Sequence, residues 1–300
     1  MSTLGHLLAR TDSRHPVVVV DGAAPPRVAA LFDRLADSSG RLRVVRRNRF
    51  LGSNEARNLG ADGAQTPWIA FVENDCRLSD GWLETLLAAG EARDAASVYP
   101  AYLENRAGAL HVHGLGADLE ISGPVGAQRI REDLFLIGRR WDDVRPDLVP
   151  SPRLQAEPHV LLIRKEMLDG LGGLDEGLLG WFEHVDLALH HHRLGVEAWN
   201  VPQAECLYEP PPPLHRSDLE FFLLRWGTDW YEKSLSRLCT AWGLDPRDSE
   251  WAHHSRYRSA VLRAGLPGPR RVGPLIDRST RPLARLAAHR WNRLSVAERG

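Results

Sequence analysis

The segment PWIAFVENDCRLSDGWLETL, residues 67–86, decides the fold because an apolar run in it stops abruptly at a group of acids. The run over 68–72 has the length and the side chains of a strand buried in a sheet. Glu73, Asn74 and Asp75 follow it directly. The sequence therefore predicts two carboxylates where a buried strand ends.

The segments before this strand alternate between strand and helix patterns. The β-branched run in HPVVVVDG, 15–22, predicts a buried strand that ends at Asp21. A second strand is predicted in LRVVRRN, 42–48, and a helix in NEARNLGADGA, 54–64. Such alternation is typical of an α/β sandwich with a mainly parallel sheet. Ligands of these sheets bind beyond the carboxyl ends of the strands, and Asp21 and the acids at 73–75 are predicted to lie there.

The composition is that of an ordinary soluble globular protein. The chain has 300 residues, of which 43% are hydrophobic and 26% charged, enough for one large domain or a domain with an extension. The formal net charge is −1, so no global field favours nucleic acid or an acidic partner.

Cysteine usage and hydropathy predict a cytoplasmic location. Cys76, Cys206 and Cys239 lie far apart in the sequence and form no CxxC pair, which fits a reducing compartment and argues against a cysteine zinc site. The first fifteen residues hold no apolar core of signal-peptide length, and no run approaches a transmembrane span.

The acids at the end of the third strand have two interpretations. A single Asp at such a place commonly solvates the loop where the chain leaves the sheet. Two carboxylates separated by one residue can instead hold a hard divalent cation, which bridges nucleotide phosphates and stabilises a diphosphate leaving group. The segment RRNRFLGSNEARN, 46–58, supplies basic residues upstream, although its arginines are equally typical of a solvated loop.

A proline run divides the downstream half of the chain. A strand is predicted over 160–164 and a helix from Glu183, whereas EPPPPLHR, 209–216, cannot be a central strand or a helix because its four prolines lack backbone donors. We therefore predict a core domain over 1–215 and a helical extension over 216–300.

Taken together, these segments resemble the inverting glycosyltransferases of family 2. The order and spacing of four motifs carry the resemblance: VVVVDG (17–22), NRFLGSNEARNLGADGA (48–64), IAFVENDCRLSDGWL (69–83) and GGLDEGLLGWFEHVDLALHHHRLGVEAWNVP (172–202). The resemblance covers roughly residues 5–215. It implies the GT-A fold, a Rossmann-like α/β architecture with a mainly parallel sheet, here with a C-terminal helical extension.

The resemblance implies a role for each residue that matches a motif. Asp21 matches the acid that binds the nucleotide base, and Arg57 and Asn58 match the pair near the nucleotide. Glu73 matches the first acid of the triplet, close to ribose and metal, and Asp75 matches the metal-binding acid.

The acceptor end of the site has candidates for a catalytic base and for a further metal ligand. An inverting transfer needs a group that takes the proton of the acceptor hydroxyl. Glu183, His184 and Asp186 are the candidates, and we favour Glu183 or Asp186 because their spacing places both on one helix face. A histidine after the last core strand completes the metal shell in the family, and His215 is the candidate here.

The family's first strand has no counterpart in this sequence. The segment STLGHLLAR, 2–10, aligns with the helix that follows that strand. Either the start of the sequence lies too far downstream or the protein has lost this strand, and a sheet without it has an exposed edge and an incomplete base pocket.

The leading hypothesis is a metal-dependent inverting glycosyltransferase that uses Mg²⁺ or Mn²⁺. It takes a sugar from a nucleotide-diphosphate donor to the hydroxyl of an unidentified acceptor, which is a small molecule, a saccharide or a lipid-linked compound. The absent strand motivates an alternative, a non-catalytic GT-A-like binding or scaffold protein. A nucleotidyltransferase is disfavoured because the sequence has no Gly-rich phosphate loop with a Lys.

The Arg-rich tail over 256–299 has interleaved aliphatic residues. One interpretation is peripheral contact with an anionic membrane; the favoured one is a solvated helix that packs on the core or on a second subunit in a homodimer. Nucleic-acid binding is not expected, because basic and aromatic residues form no coherent pattern.

Overall fold

The computed structural model of the chain describes residues 3–209, 214–265 and 273–297. The strands are β1 (Val17–Gly22), β2 (Leu42–Arg47), β3 (Trp68–Val72), β4 (Cys76–Leu78), β5 (Ser97–Arg106), β6 (Ala109–Gly114), β7 (Ala117–Ser122), β8 (Arg129–Leu134), β9 (Ser151–Arg153), β10 (Val160–Arg164) and β11 (Ala198–Tyr208). The helices are α1 (Thr3–Arg10), α2 (Pro26–Ser39), α3 (Ser53–Ala61), α4 (Trp82–Ala92), α5 (Trp141–Val144), α6 (Lys165–Gly170), α7 (Glu183–Leu194), α8 (Leu219–Trp226), α9 (Thr228–Trp242), α10 (Ser249–Gly265) and α11 (Gly273–Ala297).

The strands form a central seven-stranded sheet and two separate pairs. The central order is β3-β10-β5-β11-β4, with β6 on β5 and β9 on β11. β3, β5 and β11 run in the same direction, because β10 is antiparallel to both β3 and β5 and β11 is parallel to β5. β1 and β2 form a parallel pair, and β7 and β8 an antiparallel one. The predicted α/β class is confirmed.

The edges of β1 and β3 are open. Among the described residues, β1 pairs with β2 and β3 with β10, each on one side only. The valines at 17–20 are consequently half-buried rather than buried as predicted, and Ala70 on β3 is exposed. Both strands line one large cavity. The described strands therefore leave an open sheet edge on each side of this cavity.

The main core lies between the central sheet and α4. Trp82 and Leu86 of that helix are 1% and 0% exposed and pack with strand residues such as Val98 and Leu162. α4 begins after Gly81, which has a φ of 64°, a conformation in which glycine carries no steric cost. The helix therefore buries one face on the strands and fixes the backbone that follows β3.

The C-terminal helices pack directly on the core. Phe182 and Val185 share a buried cluster with Tyr231 of α9 and Trp251 of α10. In α11, Trp291 stacks edge-on against Trp230 at 5.2 Å and donates a 2.7 Å hydrogen bond to the backbone oxygen of Phe50. α11 thus packs on the core, as the favoured interpretation of the tail expects. The domain boundary after residue 215 stays a prediction.

Within the described part of the chain, no helix combines the length and the apolar character needed to cross a bilayer.

Candidate active site

One cavity of about 2630 Å³ opens where β1 and β3 end. Asp21, Glu73 and Asp75 line it from these strand ends, and Glu183 lines it from the start of α7. The structure therefore brings four of the predicted site carboxylates to one cavity.

At the end of β3, two carboxylates meet an imidazole that the sequence did not indicate. Ligand atoms of Glu73, Asp75 and His159 all lie within 4.8 Å of one another. Nδ1 of His159 is 2.7 Å from Oε2 of Glu73, and Nη2 of Arg57 donates to Oε1 of Glu73 at 2.7 Å. Carboxylate oxygens with one imidazole nitrogen form a donor set suited to a divalent cation.

The charges in this cluster are strongly coupled. Burial raises the pKa of Glu73, but His159 and Arg57 outweigh it and lower that pKa to about 2. Burial lowers the pKa of His159, but Glu73 outweighs it and raises that pKa to about 9. Burial and the neighbouring Glu73 raise the pKa of Asp75. His159 therefore carries a proton at pH 7, and a cation bound by these three residues would displace that proton.

His159 reaches the cluster through strand pairing. Val160 lies opposite Val72 in the antiparallel pair of β10 and β3, and the backbone N–H of Glu73 donates to the backbone oxygen of His159 at 2.8 Å. A histidine directly before an apolar strand was the available signal in the sequence, but the partner strand and its register were not.

The third ligand predicted from the family, His215, does not come to this cluster. It is exposed and begins a short 3-10 turn, where its Nδ1 lies 3.2 Å from the backbone nitrogen of Ser217 and 2.8 Å from Ser217 Oγ. This local capping directs the ring of His215 to the turn. The third candidate metal ligand beside Glu73 and Asp75 is therefore His159.

An aromatic stack supports the imidazole of His159. The ring of Tyr208 lies 4.9 Å from His159 and 4.6 Å from His113. The next residue, Glu209, donates its N–H to the backbone oxygen of Asp75 at 2.8 Å. The end of β11 thereby fixes both the ring and the backbone of the cluster.

Arg225 of α8 brings a further positive charge to the cavity. Its guanidinium lies over the rings of Trp181 and Trp226 at 4.4 and 4.7 Å. Its Nη1 is buried and makes no hydrogen bond to any described residue. A Cβ on Gly180, which has a φ of 92°, would lie 3.1 Å from Cδ of Arg225, so glycine there lets the side chain pass. Sequence reasoning missed Arg225 because it lies outside the quoted motifs.

Asp21 and Asn58 have different surroundings, although both were assigned to the nucleotide. Asp21 is 4% exposed, lines the cavity and accepts a 2.7 Å hydrogen bond from the N–H of Ala24. Asn58 is not among the cavity-lining residues. Its amide instead bonds Leu174 through both N–H and C=O and reaches Glu176 at 3.0 Å. Asn58 thus holds the loop before α7.

The turn that starts α7 places Glu183 in the cavity. Phe182 has a φ of 68°, in the left-handed region that bulky residues rarely adopt. Its ring is 1% exposed and packs edge-on against Trp251 at 5.4 Å. The C-terminal helices therefore hold the turn in which Glu183 is presented.

The other two base candidates are engaged with neighbouring side chains. Asp186 is buried, accepts a 2.7 Å hydrogen bond from Nε1 of Trp242 and lies 3.6 Å from His190. The structure does not bring Asp186 to the cavity, because this side of α7 faces α9. His184 lines the cavity, but its Nε2 faces Oε1 of Glu132 at 3.6 Å. Glu183 and Asp186 were predicted to share a helix face at the site. In the structure, Glu183 lines the cavity and Asp186 is buried against α9.

Comparison with known proteins agrees with the motif analysis. Residues 2–132 match the model of glycosyl transferase family 2, and this match confirms the predicted family resemblance. Mouse (Mus musculus) polypeptide N-acetylgalactosaminyltransferase 12 is 28% identical over 165 residues, which are 50% of this chain and 27% of that protein. Glycosyltransferase GlyG of Streptococcus pneumoniae is 25% identical over 97 residues, or 32% of each protein.

A longer match extends into the second half of the chain. The putative polypeptide N-acetylgalactosaminyltransferase 9 of Drosophila melanogaster is 24% identical over 237 residues, 75% of this chain and 34% of that protein. The chain thus spans about a third of the length of the curated relatives it matches.

A solved structure supports the fold. The crystal structure of GalNAc-T7 with UDP, GalNAc and Mn²⁺ superposes with a TM-score of 0.53 at 16% identity, covering 86% of this chain and 51% of that one. The similarity confirms the predicted GT-A architecture.

Proposed function

We propose, starting from the family 2 match and the GT-A architecture, that this chain is a metal-dependent inverting glycosyltransferase. It transfers a sugar from a nucleotide-diphosphate donor to an acceptor hydroxyl. The observation that carries the proposal is the convergence of Glu73, Asp75 and His159 within one large cavity at the end of β3.

The ligand set fits Mg²⁺ or Mn²⁺ in different degrees. Glu73 and Asp75 supply the oxygens that both ions prefer, and His159 supplies a nitrogen that favours Mn²⁺ over Mg²⁺. When bound, such a cation neutralises the charge that develops on a departing diphosphate.

Arg225 is better placed than Arg57 to contact the diphosphate. The family resemblance places Arg57 near the nucleotide, but its Nη1 donates to Asn54 and its Nη2 to Glu73, so it positions the metal ligand. Arg225 has a buried nitrogen that no described residue hydrogen-bonds, and it lines the cavity. We assign the phosphate oxygens to Arg225, since a guanidinium matches their geometry.

Glu183 is the proposed proton acceptor. It lines the cavity, whereas Asp186 is engaged with Trp242 and His184 faces Glu132. A carboxylate at that place can take the proton of the acceptor hydroxyl as the oxygen attacks the anomeric carbon, while the nucleotide diphosphate leaves from the opposite side.

The structural neighbour supports a uridine nucleotide as the first donor class to test. That protein was crystallised with UDP and Mn²⁺, which makes uridine diphosphate sugars with Mn²⁺ the first combination to test, and Mg²⁺ the second.

The test is donor hydrolysis or transfer with each metal, with and without EDTA, in wild type and Asp75→Ala. We expect Asp75→Ala to lose at least about 100-fold in rate, since loss of metal stabilisation costs several kcal/mol at the transition state. The matched control is Asp37→Ala, which removes an exposed carboxylate on α2 and should retain the wild-type rate. Equal rates for wild type and Asp75→Ala with every donor would contradict the assignment.

The open edges of β1 and β3 favour one rival, a non-catalytic GT-A-like binding protein. Calorimetry with nucleotide diphosphates and Mn²⁺ separates the two hypotheses. Binding that disappears in Asp75→Ala supports the enzyme, and no binding at millimolar ligand supports the binding protein.

A further inference from the structure

A second group of candidate metal ligands lies in the same cavity and shares no residue with the first. It consists of Glu132 from β8, His184 from α7 and His254 from α10, and their ligand atoms lie within 4.8 Å of one another. Nε2 of His184 and Nε2 of His254 are each 3.6 Å from the same atom, Oε1 of Glu132.

These distances are too long for hydrogen bonds. Imidazole N–H groups that donate to a carboxylate approach to roughly 2.7–3.2 Å. Oε1 of Glu132 and Nε2 of His254 are buried and make no hydrogen bond with any described residue. A buried carboxylate oxygen left in this way is costly, and the side chain of Glu132 is only 6% exposed. Buried polar atoms of Glu132 and His254 are therefore left without a hydrogen bond from any described residue.

A single metal ion bound by all three side chains would satisfy these buried polar atoms at the observed spacing. Zinc bonds to imidazole nitrogen and carboxylate oxygen are roughly 2.0–2.2 Å long, which places neighbouring ligand atoms of a tetrahedral site roughly 3.3–3.6 Å apart. Both contacts to Oε1 of Glu132 are 3.6 Å. The two distances to Oε1 of Glu132 therefore suit ligand atoms that surround one ion better than side chains that hydrogen-bond each other.

We propose that Glu132, His184 and His254 form a zinc site whose fourth position faces the cavity. Two imidazoles and one carboxylate form a ligand set that suits zinc, and an open position distinguishes such a site from a closed structural one. The three side chains line the cavity, so the open position is reachable from it.

The surroundings orient the ligands. Oε2 of Glu157 lies 4.0 Å from Nδ1 of His184, on the side away from Glu132, where an outer carboxylate commonly faces a ligating histidine. The ring of His254 packs edge-on against Phe182 at 5.3 Å. Because the site joins β8, α7 and α10, bound zinc also clamps α10 to the core.

The test uses the full chain, freed of metal, with the first cluster disabled by His159→Gln. In this background we expect one equivalent of Zn²⁺ to bind in calorimetry, the absorption of tetrahedral Co²⁺ to appear on cobalt substitution, and the melting temperature to rise with zinc. Adding His254→Gln should abolish all three signals. Adding His253→Gln, the exposed neighbour on the same helix, should leave them unchanged.

Two results overturn the proposal: a folded His159→Gln protein, judged by circular dichroism, that binds no zinc, or zinc binding that survives His254→Gln. If His254→Gln does not fold, Glu132→Gln replaces it with the same expected loss. None of these measurements involves a sugar donor, so the outcome is independent of the proposed transferase activity.

Discussion

Among the histidines near the end of β3, we expect His159 to contribute most to metal binding. It is the one imidazole within reach of both Glu73 and Asp75 in the described cluster. We expect His159→Gln to weaken Mn²⁺ binding at least about tenfold, since loss of even an outer-shell partner typically costs 10–100-fold. The measurement is calorimetric titration with Mn²⁺.

The matched control is His215→Gln. Its ring caps a surface turn, so Mn²⁺ affinity should stay at the wild-type value. If Mn²⁺ affinity falls in His215→Gln and does not fall in His159→Gln, the ligand set implied by the family is right and the one derived from the structure is wrong.

At the residue scale, the sequence located the acids but not their partners. Glu73 and Asp75 could be found because they follow a strand directly, and the end of a strand determines where they lie. His159 and Arg225 could not, because their positions depend on the register of β10 against β3 and on how α8 packs. Neither relation leaves a local pattern.

Among the elements, α3 connects the metal cluster to the loop before α7. Asn58 on this helix makes three hydrogen bonds to residues 174 and 176. We expect Asn58→Ala to lower the free energy of unfolding by about 1–3 kcal/mol, because each of the two part-buried bonds to Leu174 contributes about 0.5–1.5 kcal/mol, whereas the bond to Glu176 is exposed and contributes little. Urea denaturation measures this change.

Measuring both the stability and the nucleotide affinity of Asn58→Ala distinguishes a loop-holding role from a nucleotide contact. Gln203→Ala removes an exposed amide on β11 that does not line the cavity and should change neither quantity. If Asn58→Ala instead weakens nucleotide binding and leaves stability intact, the contact implied by the family is right and the loop-holding role is wrong.

The elements themselves were predicted unevenly. The strand expected over 160–164 is β10, and the helix expected from Glu183 is α7, because each has a clear apolar pattern. The i, i+3 spacing of Glu183 and Asp186 does place them on one side of α7. That side is shared between the cavity and α9, however, so periodicity alone could not tell which wall each carboxylate meets.

At the scale of the whole molecule, the C-terminal helices complete the site. Arg225 comes from α8 and His254 from α10, and both line the cavity with residues of the N-terminal half. The sequence indicated helices there but gave no reason to place their side chains in the site, because helix patterns define a buried face and not the surface that covers it.

We expect a buried histidine to make the stability of the whole fold depend on pH. His191 of α7 is 0% exposed; its Nδ1 lies 2.8 Å from the backbone oxygen of Leu154 and its Nε2 lies 3.0 Å from Oγ of Ser97. Burial lowers its pKa from 6.5 to about 4, a hydrogen bond to Leu154 opposes the shift, and His190 adds to it. The imidazole is therefore neutral in the folded protein at pH 7.

Because the folded pKa lies below the unfolded one, the unfolded chain binds the proton first as the pH falls. The stabilisation from neutral His191 is present above pH 6.5 and is lost as the pH falls toward about 4. The loss amounts to at most about 3 kcal/mol, at 1.36 kcal/mol per pKa unit.

Urea denaturation between pH 7 and pH 4.5 should show a shallower fall of the unfolding free energy in His191→Gln than in wild type. His192→Gln, at the exposed neighbouring position, should follow the wild-type slope, and a His191→Gln slope equal to wild type would mean that other groups carry the acid sensitivity of the fold.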